Sequence, residues 1–299
     1  MHRKHTKAKI NEWFWGWFMI APMMIGIMVL NIIPAFQTLY LSFFKAGAFG
    51  RGNIFVGFDN YMKMIHDDQV WYAVGNTIKY TLIVVPAIIV LSMIIAVLLN
   101  NKLRGKHIYR TIYFIPAVAT PAAVAMVWRW LYNNYFGVIN VFIKKIGLQS
   151  VNWVNDPKIA LFSVAIIGIW SIVGYNMVII LAGLKVIPND YYEASSIDGA
   201  SPVCQFFRIT VPLVSPAIFF VMITSIFQSM QVFDIIYMMI DVTSPAYDKT
   251  VSLVYLFYNN SFKYMNQGYG SVIVMLLIVI VMVVTVILVK MQRKLVNYM

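Results

Sequence analysis

Long uncharged runs alternate with polar islands along the chain, and this rhythm predicts its architecture. No charged residue occurs from Trp13 to Phe44. About 20 apolar residues cross a bilayer core, so this run holds one span, predicted over Trp15 to Ile33 with Pro34 at its far end. Similar runs predict spans at Tyr80 to Asn101, Thr111 to Trp128, Ile159 to Leu184, Ile209 to Phe233 and Tyr264 to Val289. The third carries Pro116 and Pro121. A proline inside a helix removes a hydrogen bond and clashes with the preceding turn. Within a membrane such breaks persist where neighbouring helices satisfy the freed carbonyls. This span therefore faces protein or is kinked. The first run is too long, and its end too bulky, for a cleaved leader, so it reads as a retained helix.

One polar island stands apart, from Tyr191 to Pro212. It reads as helix, break, helix. Asp190 is placed to cap the first helix, with Glu193 reaching back as in a capping box. Gly199 ends that helix, because glycine tolerates the left-handed conformation a helix C-terminus uses. Ser201 caps a second helix with Pro202 in its first turn. A bent two-helix elbow outside the membrane is the expectation.

Composition agrees with the spans. The chain is 61% hydrophobic and 11% charged, with a mean hydropathy of +0.76; a soluble domain carries about 25% charged residues. The net charge of +12 would suggest nucleic acid on a soluble protein. Its distribution gives a different reason. With the N-terminus inside, the inner segments (1–12, 102–110, 185–208 and 290–299) hold four, four, two and three Lys and Arg. The longer outer segments hold three, three and two. Under the positive-inside rule both termini and the elbow are cytoplasmic. Arg129 and Lys79 flank spans and are expected to snorkel to the interface. The one cysteine, Cys204, excludes an internal disulfide.

Enzyme signatures are missing from the sequence. No Gly-x-x-x-x-Gly-Lys-Ser/Thr loop is present, the four histidines have no metal-ligand spacing, and there is no Gly-x-Ser-x-Gly turn. Polar groups inside apolar spans usually face a cavity. That directs attention to Tyr175 and Asn176 in the fourth span and to Gln228, Gln231 and Asp234 in the fifth. Gln228 and Gln231, three apart, would share one helix face. Interhelical packing is the competing role for these groups.

Glu193-Ala194-Ser195, Asp198-Gly199-Ala200, Ile209 and Val211-Pro212-Leu213 resemble the EAA loop of permease subunits of type I ABC importers. Ser195 and Val211 stand where that family has Ala and Leu. The resemblance runs over roughly residues 15–290. Phe58-Asp59-Asn60-Tyr61, Arg110 to Pro116, Trp128-x-Trp130, Gly137-x-x-Asn140, Trp153, Ala182 to Pro188, Phe227-Gln228 and Phe233-Asp234 look like its carbohydrate branch. The block from Ala21-Pro22 to Leu41-Ser42 is similar to the F/A-like partner type of the maltose and glycerol-phosphate systems. Where the family often has Thr-Gly-Gly-Pro, this chain has Val242-Thr243-Ser244-Pro245.

The resemblance implies an all-α integral membrane protein of six transmembrane helices, with the type I ABC importer permease fold. Its divisions would be a basic N-terminus (1–12), a first helix and outer loop (13–70), the five-helix transmembrane domain with its cytoplasmic loop at 189–212 (71–290) and a tail (291–299). It implies a bacterial cytoplasmic-membrane permease subunit that moves a sugar, oligosaccharide or related polyol or sugar phosphate. Glu193, Ala194, Ser195, Asp198, Gly199 and Ala200 would dock an ATPase subunit, and Tyr175, Asn176, Gln228, Gln231 and Asp234 would line the solute path. The implied partners are a second permease, two ATPase subunits and an extracytoplasmic solute-binding protein. ATP and Mg belong to the ATPase, and no cofactor is expected on this chain. An ion-coupled secondary transporter is the alternative, but it needs ionisable groups in mid-membrane, and Asp234 is the lone candidate.

Overall fold

The computed structural model describes residues 2–46, 53–101 and 105–295. Arg51, Lys102 and Arg104, counted in the charge argument, lie outside the described residues, as do tail residues 296–299. The described chain is mostly helical and forms two compact units, residues 1–66 with 258–275, and residues 67–257 with 276–299.

In the first unit, α1 (His2–Ile27) continues through a π-helical turn, Met28–Ile32, into α2 (Ile33–Leu41). The predicted end at Pro34 is therefore corrected: the helix runs on to Leu41. The wide turn is the physical reason. Ile33 N–H reaches back to Met28 O, so the ladder is loosened just where the proline ring would press on it. A short antiparallel hairpin follows, β1 (Phe44–Ala46) and β2 (Asn53–Phe55), paired Phe44 to Phe55. It leads to α3 (Asp59–Ile65). Asn60, of the Phe58–Tyr61 motif, donates to Ser42 O and Phe44 O, both at 2.9 Å. Ser42 Oγ meets Tyr61 Oη at 2.7 Å. That motif closes the hairpin onto α3.

The second unit is built on α4 (Asp68–Asn100) and α8 (Ala160–Leu184). Their facing residues, among them Ile88, Ile167, Met177 and Ile180, are fully buried. The predicted start of this second span at Tyr80 is corrected to Asp68; its polar first turns stand on the same helix as its apolar remainder. Beside α8 lie α5 (Lys106–Val118) and α6 (Pro121–Leu131). Together they make the predicted third span, bent by 100° at Ala119–Thr120. Thr120 Oγ1 accepts from Ala123 N at 3.4 Å and Pro121 opens α6, so the break is capped. At Gly174 a Cβ would overlap the Tyr113 carbonyl; glycine there lets α5 lie directly on α8.

The loop after α6 contains α7 (Val138–Lys145) and is organised by Asn140, which is fully buried. Its amide donates to Asn133 O and Val151 O and accepts from Val151 N and Trp153 Nε1. Tyr132 stacks on Trp153 at 5.3 Å. The Gly137-x-x-Asn140 and Trp153 motifs thus have a local structural cause.

Past α8 come α9 (Asp190–Ile197) and a helical segment of α10 (Pro202–Gln205), a π turn (Phe206–Thr210) and α11 (Val211–Leu213). Next is α12 (Ser215–Met230), bent 66° from that segment. The predicted fifth span is therefore broken at Val214, with Pro216 in the first turn of α12. Then come α13 (Asp234–Met239), α14 (Leu253–Tyr258) and α15 (Gln267–Leu295); the sixth span begins at Gln267 rather than Tyr264. Among the described residues, four helices are individually long and apolar enough to cross a membrane, or up to six if each bent pair is one span.

Candidate functional site

Two features of the second unit carry chemistry: the elbow formed by α9 and α10–α11, and a cavity at the α5–α6 corner and the α12–α13 gap.

At the elbow, Gly199 has φ of +75° and closes α9 in a Schellman arrangement. Ala200 N–H bonds to Ser195 O at 2.9 Å and Gly199 N–H to Ser196 O at 3.1 Å. Ser201 then caps α10, its Oγ accepting from Cys204 N at 3.3 Å, with Pro202 in the first turn. The expected capping box does not form. Asn189 is the N-cap position, it is already in helical conformation, and no side chain caps the helix. Asp190 is the first helical residue, and its charge, like that of Glu193, favours the helix N-terminus through the macrodipole.

Side chains lock the two arms together. Tyr192 Oη meets Thr210 Oγ1 at 3.0 Å, and Gln205 Nε2 donates to Ser196 Oγ at 2.9 Å. A second π turn, Phe206–Thr210, precedes Pro212 as the first precedes Pro34; Val211 N–H reaches Phe206 O. Of the six residues expected to dock a partner, Glu193, Ala194, Asp198 and Gly199 are exposed, and Ser195 and Ala200 are half-buried. Ile197 and Phe207, at 87% and 64% exposure, put apolar surface beside them.

The cavity has a volume of ≈ 410 Å³. Both breaks open onto it: Pro116, Ala117, Ala119 and Pro121 line it from the α5–α6 corner, and Gln231, Phe233 and Asp234 from the α12–α13 gap. Tyr80 of α4 and Ser171 of α8 complete the wall with Gln228 and Ser229 of α12. Ser229 Oγ donates to Thr81 Oγ1 at 3.1 Å, tying α12 to α4. The Tyr80 phenol crosses α8 at Gly168, where any Cβ would collide with it.

The structure brings three of the five residues expected on the solute path, Gln228, Gln231 and Asp234, to this cavity. They do not share a regular helix face, since α12 ends at Met230 and Gln231 is its C-cap; the break turns them to the same space. Tyr175 and Asn176 are absent from the lining of this cavity. Asn176 is buried and donates to Ile172 O of its own helix at 3.2 Å. Tyr175 is 45% exposed. Ser171, one turn earlier, is the polar α8 residue at the cavity. Sequence reading missed Tyr80 and Ser171, whose neighbours look like ordinary packing; the signal available was the pair of prolines marking the α5–α6 corner.

Two carboxamides, three hydroxyls and a single carboxylate around an apolar floor can donate to and accept from a hydroxyl-rich solute.

Residues 68–297 match the family described as binding-protein-dependent transport system inner membrane component. A probable ABC transporter permease of Bacillus subtilis, YesP, is 34% identical over 95% of this chain and 92% of its own length. The trehalose/maltose transport system permease MalF of Thermococcus litoralis is 31% identical over 91% of each chain. The sn-glycerol-3-phosphate transport system permease UgpA of Escherichia coli is 30% identical over 82% of this chain and 83% of its own. In fold, the chain is similar to one from a bacterial ABC transporter involved in the import of the acidic polysaccharide alginate. The TM-score is 0.82 at 20% identity, over 98% of this chain and 100% of that one.

Proposed function

Since the chain belongs to the family of binding-protein-dependent transport system inner membrane components, we propose that it is one permease subunit of an ABC importer for a sugar or oligosaccharide, or a related polyol phosphate. The observation that carries this reading is the cavity at the α5–α6 corner and the α12–α13 gap. Discontinuous helices are where transporters build solute sites, and here both discontinuities open onto one space lined by amides, hydroxyls and a carboxylate. The names of the relatives support the solute class, being trehalose/maltose, lactose and glycerol phosphate systems. The ion-coupled alternative gains nothing from this geometry: Asp234, exposed at a helix break, is the one carboxylate in the lining.

Energy enters at the elbow. The chain has no P-loop, so ATP and its Mg are held by a partner. Glu193, Ala194, Ser195, Asp198, Gly199 and Ala200 present the docking surface, with Ile197 and Phe207 as apolar anchors. The complex pairs this chain with a second, similar permease, two ATPase subunits and an extracytoplasmic binding protein that delivers the solute. ATP-driven closure of the ATPases pulls on α9, and the bundle alternates between outward and inward access.

This scheme requires the elbow and both termini in the cytoplasm. In a Cys204→Ser background, Ser196→Cys is expected to react with a membrane-impermeant thiol reagent only after lysis. His66→Cys, in the first outer segment, is expected to react in intact cells once any wall barrier is opened. The reverse pattern would put the elbow on the side without ATP and end this reading.

A further inference from the structure

A second cavity of the 67–257 unit, of ≈ 310 Å³, is lined by Lys79, Lys158 and Lys249 together with Asn76. No carboxylate lines it. The three lysines come from three separate stretches, and the fold brings them together by specific bonds. Asn76, buried in α4, donates to Asp248 O at 3.0 Å and Val251 O at 3.1 Å. Thr77 Oγ1 accepts from Leu253 N at 3.2 Å. These bonds pin the 248–253 segment to α4, one turn from Lys79. Lys249 Nζ is held 5.1 Å over the Tyr72 ring, an attraction between a cation and an aromatic face. Lys158 stands just ahead of α8, its backbone N–H bonded to Asp156 Oδ1 at 2.9 Å. The acidic neighbours in sequence, Asp156 and Asp248, point no carboxylate into the cavity wall.

Three lysines lining one space with no carboxylate in its wall repel one another and favour an anion there. The remaining wall says which kind. Leu82, Ile83, Leu161 and Phe162 close the cavity, and Leu82 and Phe162 are 68% and 54% exposed. Leu82 lies one turn into the span from Lys79, and Phe162 one turn into the span from Lys158. Lys158 thus stands just ahead of α8 and Lys79 three turns into α4, where the polar turns of α4 give way to its uncharged run, each above an exposed apolar side chain of the same helix. This end is the one opposite the elbow, because α8 runs from Lys158 to the elbow. A free inorganic anion would use the lysines and leave the apolar wall idle. A phosphodiester carrying acyl chains uses both, and lysine heads at the interface attract anionic headgroups.

We propose that this cavity is a binding site for the phosphate headgroup of an anionic phospholipid, in the leaflet opposite the elbow, with an acyl chain along Leu82 and Phe162. The site is separate from the solute cavity and the elbow, and it ties the 248–253 segment and the head of α8 to the bilayer.

The assembled transporter, reconstituted in nanodiscs of phosphatidylcholine with a minority of phosphatidylglycerol and released for native mass spectrometry, tests this. The parent is expected to retain one phosphatidylglycerol per copy of this chain in preference to phosphatidylcholine. The triple variant Lys79→Gln, Lys158→Gln, Lys249→Gln is expected to lose that retention at least fivefold, and Lys158→Gln alone to lose it in part. All three lysines are exposed, so the variants are expected to fold; an unchanged elution profile of the complex checks this. Millimolar inorganic phosphate is expected neither to shift the melting temperature nor to displace the lipid. Equal lipid retention by parent and triple variant would overturn the proposal. So would binding of inorganic phosphate without lipid retention, which would make the source a free anion. Loss of binding-protein affinity in the triple variant with lipid retention unchanged would make the lysines a protein contact instead, and would equally overturn it.

Discussion

Replacing Gly199 with valine is expected to leave the permease in the membrane and to reduce uptake about tenfold or more. Gly199 sits at φ of +75°, where a β-branched residue is strained by about 1–3 kcal/mol. The chain relieves that strain by leaving the left-handed region, and the two bonds of the Schellman turn, Ala200 to Ser195 and Gly199 to Ser196, then break. Beyond its own chain neighbours, no atom lies within 4 Å of the position a Cβ would take. The effect is therefore conformational and not a clash with the bundle. With the turn lost, α9 is redirected relative to α10, and the face of Glu193, Ala194 and Ile197 proposed to dock the ATPase is expected no longer to meet it squarely. A loss of 1.4 kcal/mol in docking is a factor of ten. Glu193→Ala keeps the turn and removes one exposed contact, so its effect is expected to be smaller. Copurification of the ATPase and uptake in the same vesicles read both. Normal values in Gly199→Val would show that the elbow is not the coupling element.

Gln231→Leu is expected to lower solute-dependent uptake by about tenfold with the assembled complex intact. Gln231 caps α12, is exposed to the cavity and belongs to its lining. A polar group lost from a site built to bond a hydroxyl leaves that hydroxyl unpaired, at about 1–3 kcal/mol. Leucine cannot restore the bond, but it fits a position that is not packed. Asp234→Asn keeps the shape and part of the hydrogen bonding and is expected to be milder. The readouts are uptake against solute-loaded binding protein and the elution profile of the complex. A variant that falls apart, while the surviving complexes transport normally, would assign Gln231 to packing.

Most of the spans were legible because a bilayer demands long uncharged runs and the run lengths report them directly. Their ends were not. α4 extends twelve residues before Tyr80 because a helix continues through its polar turns once Asn76 and Thr77 find bonds in the 248–253 segment. Helix α2 continues past Pro34 because a π turn accommodates the proline, and nothing in Met28–Ile32 announces such a turn. At the elbow, glycine and Ser-Pro gave the break and the second cap, since both are local signals. The Asp190 cap was misplaced by one residue because Asn189 is already helical, a consequence of the incoming chain rather than of the motif.

The cavity was half legible. Gln228, Gln231 and Asp234 stood out as polar groups in an apolar run. Asn176 stood out for the same reason, yet its amide is spent on Ile172 O. Which of two polar residues on one helix faces a cavity depends on the rotation of α8. That rotation is set by contacts such as Gly168 against Tyr80 and Gly174 against Tyr113, between residues far apart in sequence. The three-lysine cavity was invisible for the same reason: each lysine alone reads as a helix end or a loop charge.

Uptake by sealed proteoliposomes tests the central claim most directly. They would hold this chain, its partner permease and the ATPase, with ATP inside and the solute-loaded binding protein outside. Uptake is expected only with hydrolysable ATP and the binding protein present, and it should be unchanged when proton and sodium gradients are collapsed. Uptake driven by an ion gradient in the absence of ATP would contradict the account.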